Sequence, residues 1–166
     1  MSWEIERRFL VRVAPGGWEA LGPGRPLRQG YVVAGPRTVR IRVGEERGPV
    51  LTCKSGSGVR RREVEQTVTE EMAAMLFEVA AERIIEKVRH RSGPWEVDRF
   101  TGGLEGLALL EIELEEPDAP LPKWPPVVSV LREVTNDNRF TSSGLASLNK
   151  GEQERWVNEV YAEMEA

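Results

Sequence analysis

The sequence predicts an α+β fold in which eight antiparallel strands close into a barrel, a tunnel with a charged interior, with helices packed outside, including a C-terminal helix. Gly and Pro account for 16 and 11 of the 166 residues and divide the chain into short segments. Most of these segments alternate between apolar and polar residues, which is typical of strands. Two segments instead repeat their apolar residues at helical spacing. Many short strands joined by tight turns favour a closed antiparallel sheet.

The alternating segments predict the strands, and the turns between them carry Gly or Pro, as at Gly35-Pro36 and Gly48-Pro49. The period of two in each segment assigns alternate side chains to opposite faces of the sheet. The predicted strands lie near 3–13, 27–33, 37–46, 49–55, 61–68, 83–91, 94–100 and 108–115.

Three helices are expected. The first begins after Thr69, a suitable N-cap, and Met72, Leu76 and Val79 form its apolar stripe. A short helix is predicted after Pro125-Pro126, where Val127, Val130 and Leu131 have helical spacing. The C-terminal helix spans about 152–164, with Trp156, Val160 and Met164 on its packing face.

Composition excludes several classes of protein. The net charge of −4, with 30% charged and 40% hydrophobic residues, fits one ordinary domain spanning 1–166. No apolar run reaches the roughly 20 residues of a membrane-spanning helix, and the N-terminus lacks a signal-peptide pattern, so we expect a cytoplasmic protein without a membrane partner. The single Cys53 and single His90 exclude an internal disulfide and a zinc site. Since the net charge is acidic, no nucleic-acid partner is expected.

The charged residues of the strands are sorted by sign. Arg40 and Arg42 share one face of their strand, and Glu111 and Glu113 share one face of theirs. These charges form the solvent face of an ordinary sheet, or they line the inside of a barrel around a ligand; the repulsion between like charges favours the second interpretation. The predicted interior acids are Glu4, Glu6, Glu63, Glu65, Glu96, Asp98, Glu111 and Glu113, and the predicted interior bases are Arg8, Arg40, Arg42, Lys54, Arg61, Lys87 and Arg89.

This combination of charges predicts the class of ligand. Carboxylates without His or Cys suit a hard cation such as Mg²⁺ or Mn²⁺, while Arg and Lys suit phosphate. A metal–triphosphate complex requires both. Two other basic or titratable residues are expected to lie outside this site: Arg47, beyond the third strand, should face solvent, and His90 is out of phase with its charged neighbours.

The charged residues belong to short motifs that follow one another along the chain. The first is Glu4-Ile5-Glu6-Arg7-Arg8, and the later motifs include Leu27-Arg28-Gln29-Gly30-Tyr31, Val39-Arg40-Ile41-Arg42, Arg61-Arg62-Glu63-Val64-Glu65, Glu86-Lys87-Val88-Arg89, Glu96-Val97-Asp98, Glu111-Ile112-Glu113 and Val134-Thr135-Asn136-Asp137-Asn138-Arg139. Eight motifs in register resemble the CYTH, or triphosphate tunnel metalloenzyme, superfamily. The first motif is similar to its N-terminal ExExK signature, with Arg8 in place of Lys, which keeps the charge and adds a bidentate fork. The resemblance implies an eight-stranded tunnel that binds triphosphate through basic residues and divalent metal through acidic ones.

The short chain resembles the bacterial members of the superfamily that hydrolyse inorganic tripolyphosphate, so we expect that activity, with Mg²⁺ or Mn²⁺. The expected phosphate-binding residues are Arg8, Arg40, Arg42, Lys54, Arg61, Lys87, Arg89 and Arg139. The expected metal-binding residues are Glu4, Glu6, Glu63, Glu65, Asp98, Glu111 and Glu113, and the expected catalytic residues are Lys87, Glu4, Glu6 and Glu63. An organic triphosphate enzyme (a nucleoside or thiamine triphosphatase, or a class IV adenylate cyclase) and a non-catalytic polyphosphate-binding module remain alternatives, and a homodimer is allowed.

Overall fold

A computed structural model describes residues 2–56 and 58–166, which form nine strands and three α-helices. The strands are β1 (Ser2–Val13), β2 (Gly24–Val33), β3 (Arg37–Val43), β4 (Val50–Ser55), β5 (Arg60–Thr67), β6 (Ile84–Ser92), β7 (Trp95–Phe100), β8 (Ala108–Glu113) and β9 (Val128–Glu133). The helices are α1 (Glu70–Ala80), α2 (Ser142–Ala146) and α3 (Gln153–Glu165). Within the described residues, no helix is long and apolar enough to span a membrane.

Eight of the strands form the predicted closed antiparallel barrel. Their order is β5-β4-β3-β2-β6-β7-β8-β1, and β1 pairs with β5 to close the ring. The long strand β1 makes this closure: its first residues pair with β5, its middle residues with β8, and its last residues with β9, which lies outside the ring. The α+β class and the barrel are therefore confirmed.

The expected short helix after Pro125-Pro126 is wrong, because that segment forms β9. The register pairs Val11 with Val130 and Val13 with Val128. This part of β1 extends beyond its pairing with β8, so its backbone N–H and C=O groups are available to a further strand. A short isolated helix is only marginally stable, so the segment pairs with β1 instead. Val128 and Val130 then pack together against a core cluster on the outside of the barrel.

Helix α1 begins where predicted, and its packing face differs from the expected one. The Thr69 hydroxyl accepts a hydrogen bond from the Met72 backbone N–H at 3.1 Å, so Thr69 is the N-cap. Met72 and Val79 are exposed, however, and the helix buries Ala73 and Ala80 instead. The reason is a close approach to β2, since a Cβ atom at Gly30 would lie 3.1 Å from the Ala80 Cβ. Small residues permit that approach, whereas a Met would not fit.

The hydrophobic core has two clusters, one on the outside of the barrel and one that fills an end of its interior, where Leu10 and Ile85 share the inward phase of Arg8 and Lys87. The C-terminal helix α3 buries Val157, Val160 and Met164 in one cluster, and the predicted Trp156 packs against its edge. The Tyr161 hydroxyl donates to the Val11 carbonyl at 2.8 Å and accepts from the Ala108 backbone N–H at 3.0 Å, which fixes α3 on the sheet. In the outer cluster, Phe9, Val97 and Leu110 cover the outside of β1, β7 and β8, so the alternate, charged residues of these strands point inward.

Candidate active site

The barrel encloses a cavity of about 410 Å³ whose walls are charged. Strand alternation produces this wall: on β3, Thr38, Arg40 and Arg42 line the cavity, while Ile41 between them is buried on the outer side. A second cavity of about 200 Å³ shares Glu6 and Arg8 with the first. The predicted site residues that line the main cavity are Glu4, Glu6, Arg8, Arg40, Arg42, Lys54, Arg61, Glu63, Glu65, Lys87, Arg89, Glu111 and Glu113, together with Glu96.

Lys54 holds two carboxylates on the β4–β5–β1 side of the cavity. Its Nζ lies 2.8 Å from Glu4 Oε2 and 3.4 Å from Glu63 Oε2, and Arg61 lies 3.9 Å from the same Glu4 oxygen. Burial acts to raise the pKa of Glu4, but the charge of Lys54 beside it outweighs this and lowers the pKa. For Glu63, burial and the neighbouring Glu4 carboxylate raise the pKa. Two adjacent carboxylates of the site therefore differ in proton affinity.

Arg8 bridges a second pair of carboxylates. Its Nε donates to Glu111 Oε1 at 2.8 Å and its Nη2 donates to Glu6 Oε1 at 2.8 Å. Burial works to raise the pKa of Glu111, but Arg8, Lys87 and Arg89 hold it well below its usual range. Burial and the adjacent Glu111 raise the pKa of Glu6 to about 7 despite Arg8. Glu111 is thus a fixed anion, whereas Glu6 can exchange a proton near neutral pH.

Asp98 lies behind the cavity wall, and this position disagrees with its predicted role as a metal ligand. The side chain is fully buried, and its two oxygens accept hydrogen bonds from Arg89 Nε at 2.7 Å and Nη2 at 2.8 Å. Lys87 Nζ lies 2.6 Å from Asp98 Oδ2. Since both oxygens are engaged by cations, Asp98 positions Lys87 and Arg89, and it is not among the residues that line the cavity.

The β2–β3–β4 wall contributes residues that sequence reasoning missed. Arg40 Nη2 donates to the Thr52 hydroxyl at 3.1 Å, and Arg42 Nε donates to the Gln29 amide oxygen at 2.9 Å. The hydroxyl of Tyr31 accepts from Gln29 Nε2 at 3.1 Å. Because β2 carries no inward charge, the sorting of charges gave no signal for Gln29 and Tyr31; their pairing in register with Arg42 and Arg40 reveals them.

Arg139 differs from its predicted position, and Arg47 differs only in part. Arg139 does not line the cavity; it is exposed and bonds to Asp137 and Glu163 on the surface. Arg47 is exposed as expected, but it also lines the cavity, where its Nη2 lies 2.5 Å from Glu65 Oε2. Strand alternation cannot reveal this contact, because Arg47 lies in the turn after β3. His90 lies outside the site as predicted, bonded to the Gly22 carbonyl at 2.9 Å.

The glutamates suit a hard cation by their chemistry. Among residues 2–56 and 58–166, no group of three or more His, Cys, Asp or Glu side chains already forms a metal site. The anionic side chains that line the cavity are nevertheless all glutamates, and Glu6 lies directly opposite Glu113 in the β1–β8 register. Burial, together with Glu4 and Glu96, raises the pKa of Glu113. A divalent cation would offset this repulsion, so the donor set fits Mg²⁺ or Mn²⁺.

Comparison with known proteins agrees with this geometry. The chain is 34% identical over 153 residues to an inorganic triphosphatase of Acetivibrio thermocellus, and the match covers 87% of the chain and 94% of that protein. The chain belongs to the inorganic triphosphatase family. An inorganic triphosphatase of Nitrosomonas europaea is also 34% identical, over 86% of this chain and 96% of its own length. No protein-family model matches the sequence.

The fold of this chain is similar to that of a solved inorganic triphosphatase. The crystal structure of one inorganic triphosphatase aligns with a TM-score of 0.59 at 32% identity, covering 90% of this chain and 97% of that one. Membership in this family confirms the resemblance predicted from the sequence motifs.

Proposed function

We propose that the protein hydrolyses inorganic tripolyphosphate to pyrophosphate and phosphate inside the barrel, with Mg²⁺ or Mn²⁺ as cofactor. One observation carries the proposal: cations from four strands face a single cavity of about 410 Å³, and carboxylates stand between them. These cations are Arg8, Arg40, Arg42, Lys54, Lys87 and Arg89. The names of the two relatives at 34% identity support the same substrate.

The cavity wall favours an inorganic over an organic triphosphate. Charged and hydroxyl side chains make up most of the described lining, and its aromatic members are Tyr31 and Trp95. Tyr31 is fixed by its hydrogen bond with Gln29, and Trp95 is 1% exposed with its ring held in the outer core. Neither ring offers an open face on which a base or a thiazole ring stacks, so binding depends on the phosphate groups themselves.

Phosphoryl transfer depends mainly on positioning and charge neutralisation, and the cations supply both. Arg40 has its Nε buried without a hydrogen-bond partner in the described structure. An unsatisfied donor is costly in the free protein, and a phosphate oxygen would satisfy it. Arg40 therefore orients substrate, together with Arg42 two residues along the same face.

Water attack requires a proton acceptor near the phosphate. Glu6, with a pKa of about 7, and Glu63, with a raised pKa, face the cavity and can take that proton. The water oxygen bonds to the terminal phosphorus, the bridging P–O bond breaks, and the electron pair leaves with pyrophosphate. Lys87, which Asp98 holds at 2.6 Å, then donates a hydrogen bond to the leaving oxygen.

The metal ion, when bound, supplies additional positive charge to the phosphate oxygens. The residues proposed to hold it are Glu111 and Glu113 first, then Glu4, Glu6, Glu63 and Glu65, all on the cavity wall. This assignment rests on oxygen-donor chemistry and on the mutual repulsion of the carboxylates.

Phosphate release from a panel of substrates tests the function. Tripolyphosphate, ATP, thiamine triphosphate and pyrophosphate are compared with Mg²⁺ or Mn²⁺ and with EDTA, and tripolyphosphate should be turned over fastest. Glu111→Gln and Glu113→Gln should each lower activity at least about tenfold, equivalent to about 1.4 kcal/mol. Glu133→Gln is the matched control, because Glu133 lies on the outer strand and pairs with Arg7. Comparable turnover of ATP, or activity that persists in EDTA, would contradict the proposal.

A further inference from the structure

Tyr31 combines a buried ring with a hydroxyl at the cavity. The residue is 3% exposed, its ring belongs to the core cluster that includes Leu10 and Ile85, and it also lines the cavity. It pairs with Arg40 in the β2–β3 register. The ring is thus anchored by apolar residues inside the barrel, since Leu10 and Ile85 share the inward phase of Arg8 and Lys87, while the hydroxyl stands among the phosphate-binding cations.

Hydrogen bonds fix the direction in which this hydroxyl donates. Arg42 Nε can only donate, so the Gln29 amide presents its oxygen to Arg42 at 2.9 Å and its nitrogen to Tyr31 at 3.1 Å. The Tyr31 oxygen therefore accepts from Gln29, and its own proton must find another acceptor. Arg40, Arg42 and Lys87 nearby are donors only, so they cannot accept it.

The charges around Tyr31 strengthen its O–H as a donor. Burial acts to raise the pKa of Tyr31. The charge of Arg40, a hydrogen bond with Ser142, and the charges of Lys87 and Arg42 together outweigh burial and lower the pKa. A phosphate oxygen is a strong acceptor for this O–H, because a hydrogen bond to an ionised group is shorter and about twice as strong as one between neutral groups.

We propose that Tyr31 is a further substrate-contacting residue, whose hydroxyl donates a hydrogen bond to a phosphoryl oxygen of tripolyphosphate held by Arg40 and Arg42. This inference rests on the function proposed above. Burial and the neighbouring charges of Arg40 and Arg89 already lower the pKa of Arg42, so this wall is crowded with positive charge. A neutral donor adds a directional contact to the phosphate without adding another positive charge.

Tyr31→Phe tests the contact, because it keeps the buried ring and removes only the O–H. It should lower kcat/KM for tripolyphosphate about ten- to hundredfold, the range for a lost hydrogen bond to a charged group. The matched control is Tyr161→Phe, since the chain has two tyrosines and Tyr161 bonds to the Val11 and Ala108 backbone outside the cavity. Tyr161→Phe should lower the melting temperature and leave kcat/KM within about twofold of wild type.

Calorimetric binding of tripolyphosphate, measured in EDTA for wild type, Tyr31→Phe and Tyr161→Phe, separates the contact from the reaction. Weaker binding by Tyr31→Phe alone would support the inference; both variants lose a buried hydrogen bond and should melt at a lower temperature, so affinity is the quantity that distinguishes them. Tyr31→Phe with wild-type kcat/KM and wild-type affinity would overturn it, as would equal losses in both variants. A wild-type protein that binds tripolyphosphate without turnover would contradict the proposed function, and the comparison of affinities would still decide the role of Tyr31.

Discussion

Replacing Glu6 by glutamine should stabilise the protein at alkaline pH while lowering its activity. Glu6 is buried beside Glu111, and these two causes raise its pKa from an ordinary 4.5 to about 7. Arg8 Nη2 donates to Glu6 Oε1 at 2.8 Å, and the amide oxygen of glutamine can accept the same bond. The substitution therefore removes the repulsion and keeps the contact.

The magnitude follows from the change in proton affinity. A pKa difference of about 2.5, at about 1.36 kcal/mol per pH unit, corresponds to about 3 kcal/mol. The Glu6 side chain is 17% exposed, so solvent screens part of this and about 1–3 kcal/mol is expected. For a chain of this size, about 2 kcal/mol raises the melting temperature by roughly 4–8 °C.

The effect depends on pH with a definite sign. Between about pH 4.5 and 7 the folded protein retains a proton on Glu6 that the unfolded chain has released, so wild-type stability falls as pH rises through this window. Glu6→Gln lacks this loss. Its advantage should be complete above about pH 7 and absent below about pH 4.5.

Thermal melts in EDTA across this pH range measure the effect, with phosphate release measured in parallel. Glu65→Gln is the control, since Arg47 outweighs the effect of burial and lowers the pKa of Glu65. That folded-state charge is stabilising at neutral pH, so Glu65→Gln should be destabilised. If Glu6→Gln were less stable than wild type at pH 8, or equally stabilised at pH 4.5 and 8, burial and repulsion at Glu6 would not be the cause of its raised pKa.

Three further outcomes are expected. Arg42→Ala should lower kcat/KM for tripolyphosphate about ten- to hundredfold. Arg37 is exposed on the same strand and does not line the cavity, so Arg37→Ala should leave kcat/KM within about twofold of wild type. Equal losses would refute the inward assignment of Arg42. Asp98→Asn leaves Lys87 and Arg89 without their buried anion, so denaturant unfolding at pH 7 should show a loss of about 3–5 kcal/mol. Burial acts to raise the pKa of Asp98, but Arg89 and Lys87 outweigh it and lower the pKa. The loss of stability should therefore shrink toward about pH 3, where Asp98 of the wild type also becomes protonated, and a loss that is constant with pH would speak against the ion pair. Tripolyphosphate at a hundredfold excess over its Kd should stabilise the wild type by about 2.7 kcal/mol, and an unchanged melting temperature would exclude binding to the folded barrel.

Much of the candidate site was predictable because it depends on a local property. Side chains alternate along a strand, so the spacing of two between Arg40 and Arg42, or between Glu111 and Glu113, already places each pair on one face. The structure confirms that these faces line the cavity. Tyr31 escaped prediction, because an uncharged residue on an alternating strand is equally consistent with either face.

The sequence by itself determined the eight barrel strands, their closure and the sorting of charges, since alternation and turn residues act over a few positions. Only the tertiary structure decided how deep each inward side chain lies, so that Glu111 lines the cavity while Asp98 is sealed behind Lys87 and Arg89. Contacts between distant segments also decided that residues Val128–Glu133 pair with β1 as a strand. The β1–β9 pairing joins residues more than a hundred positions apart, and the depth of Asp98 depends on how neighbouring strands pack around it; alternation along one strand specifies neither.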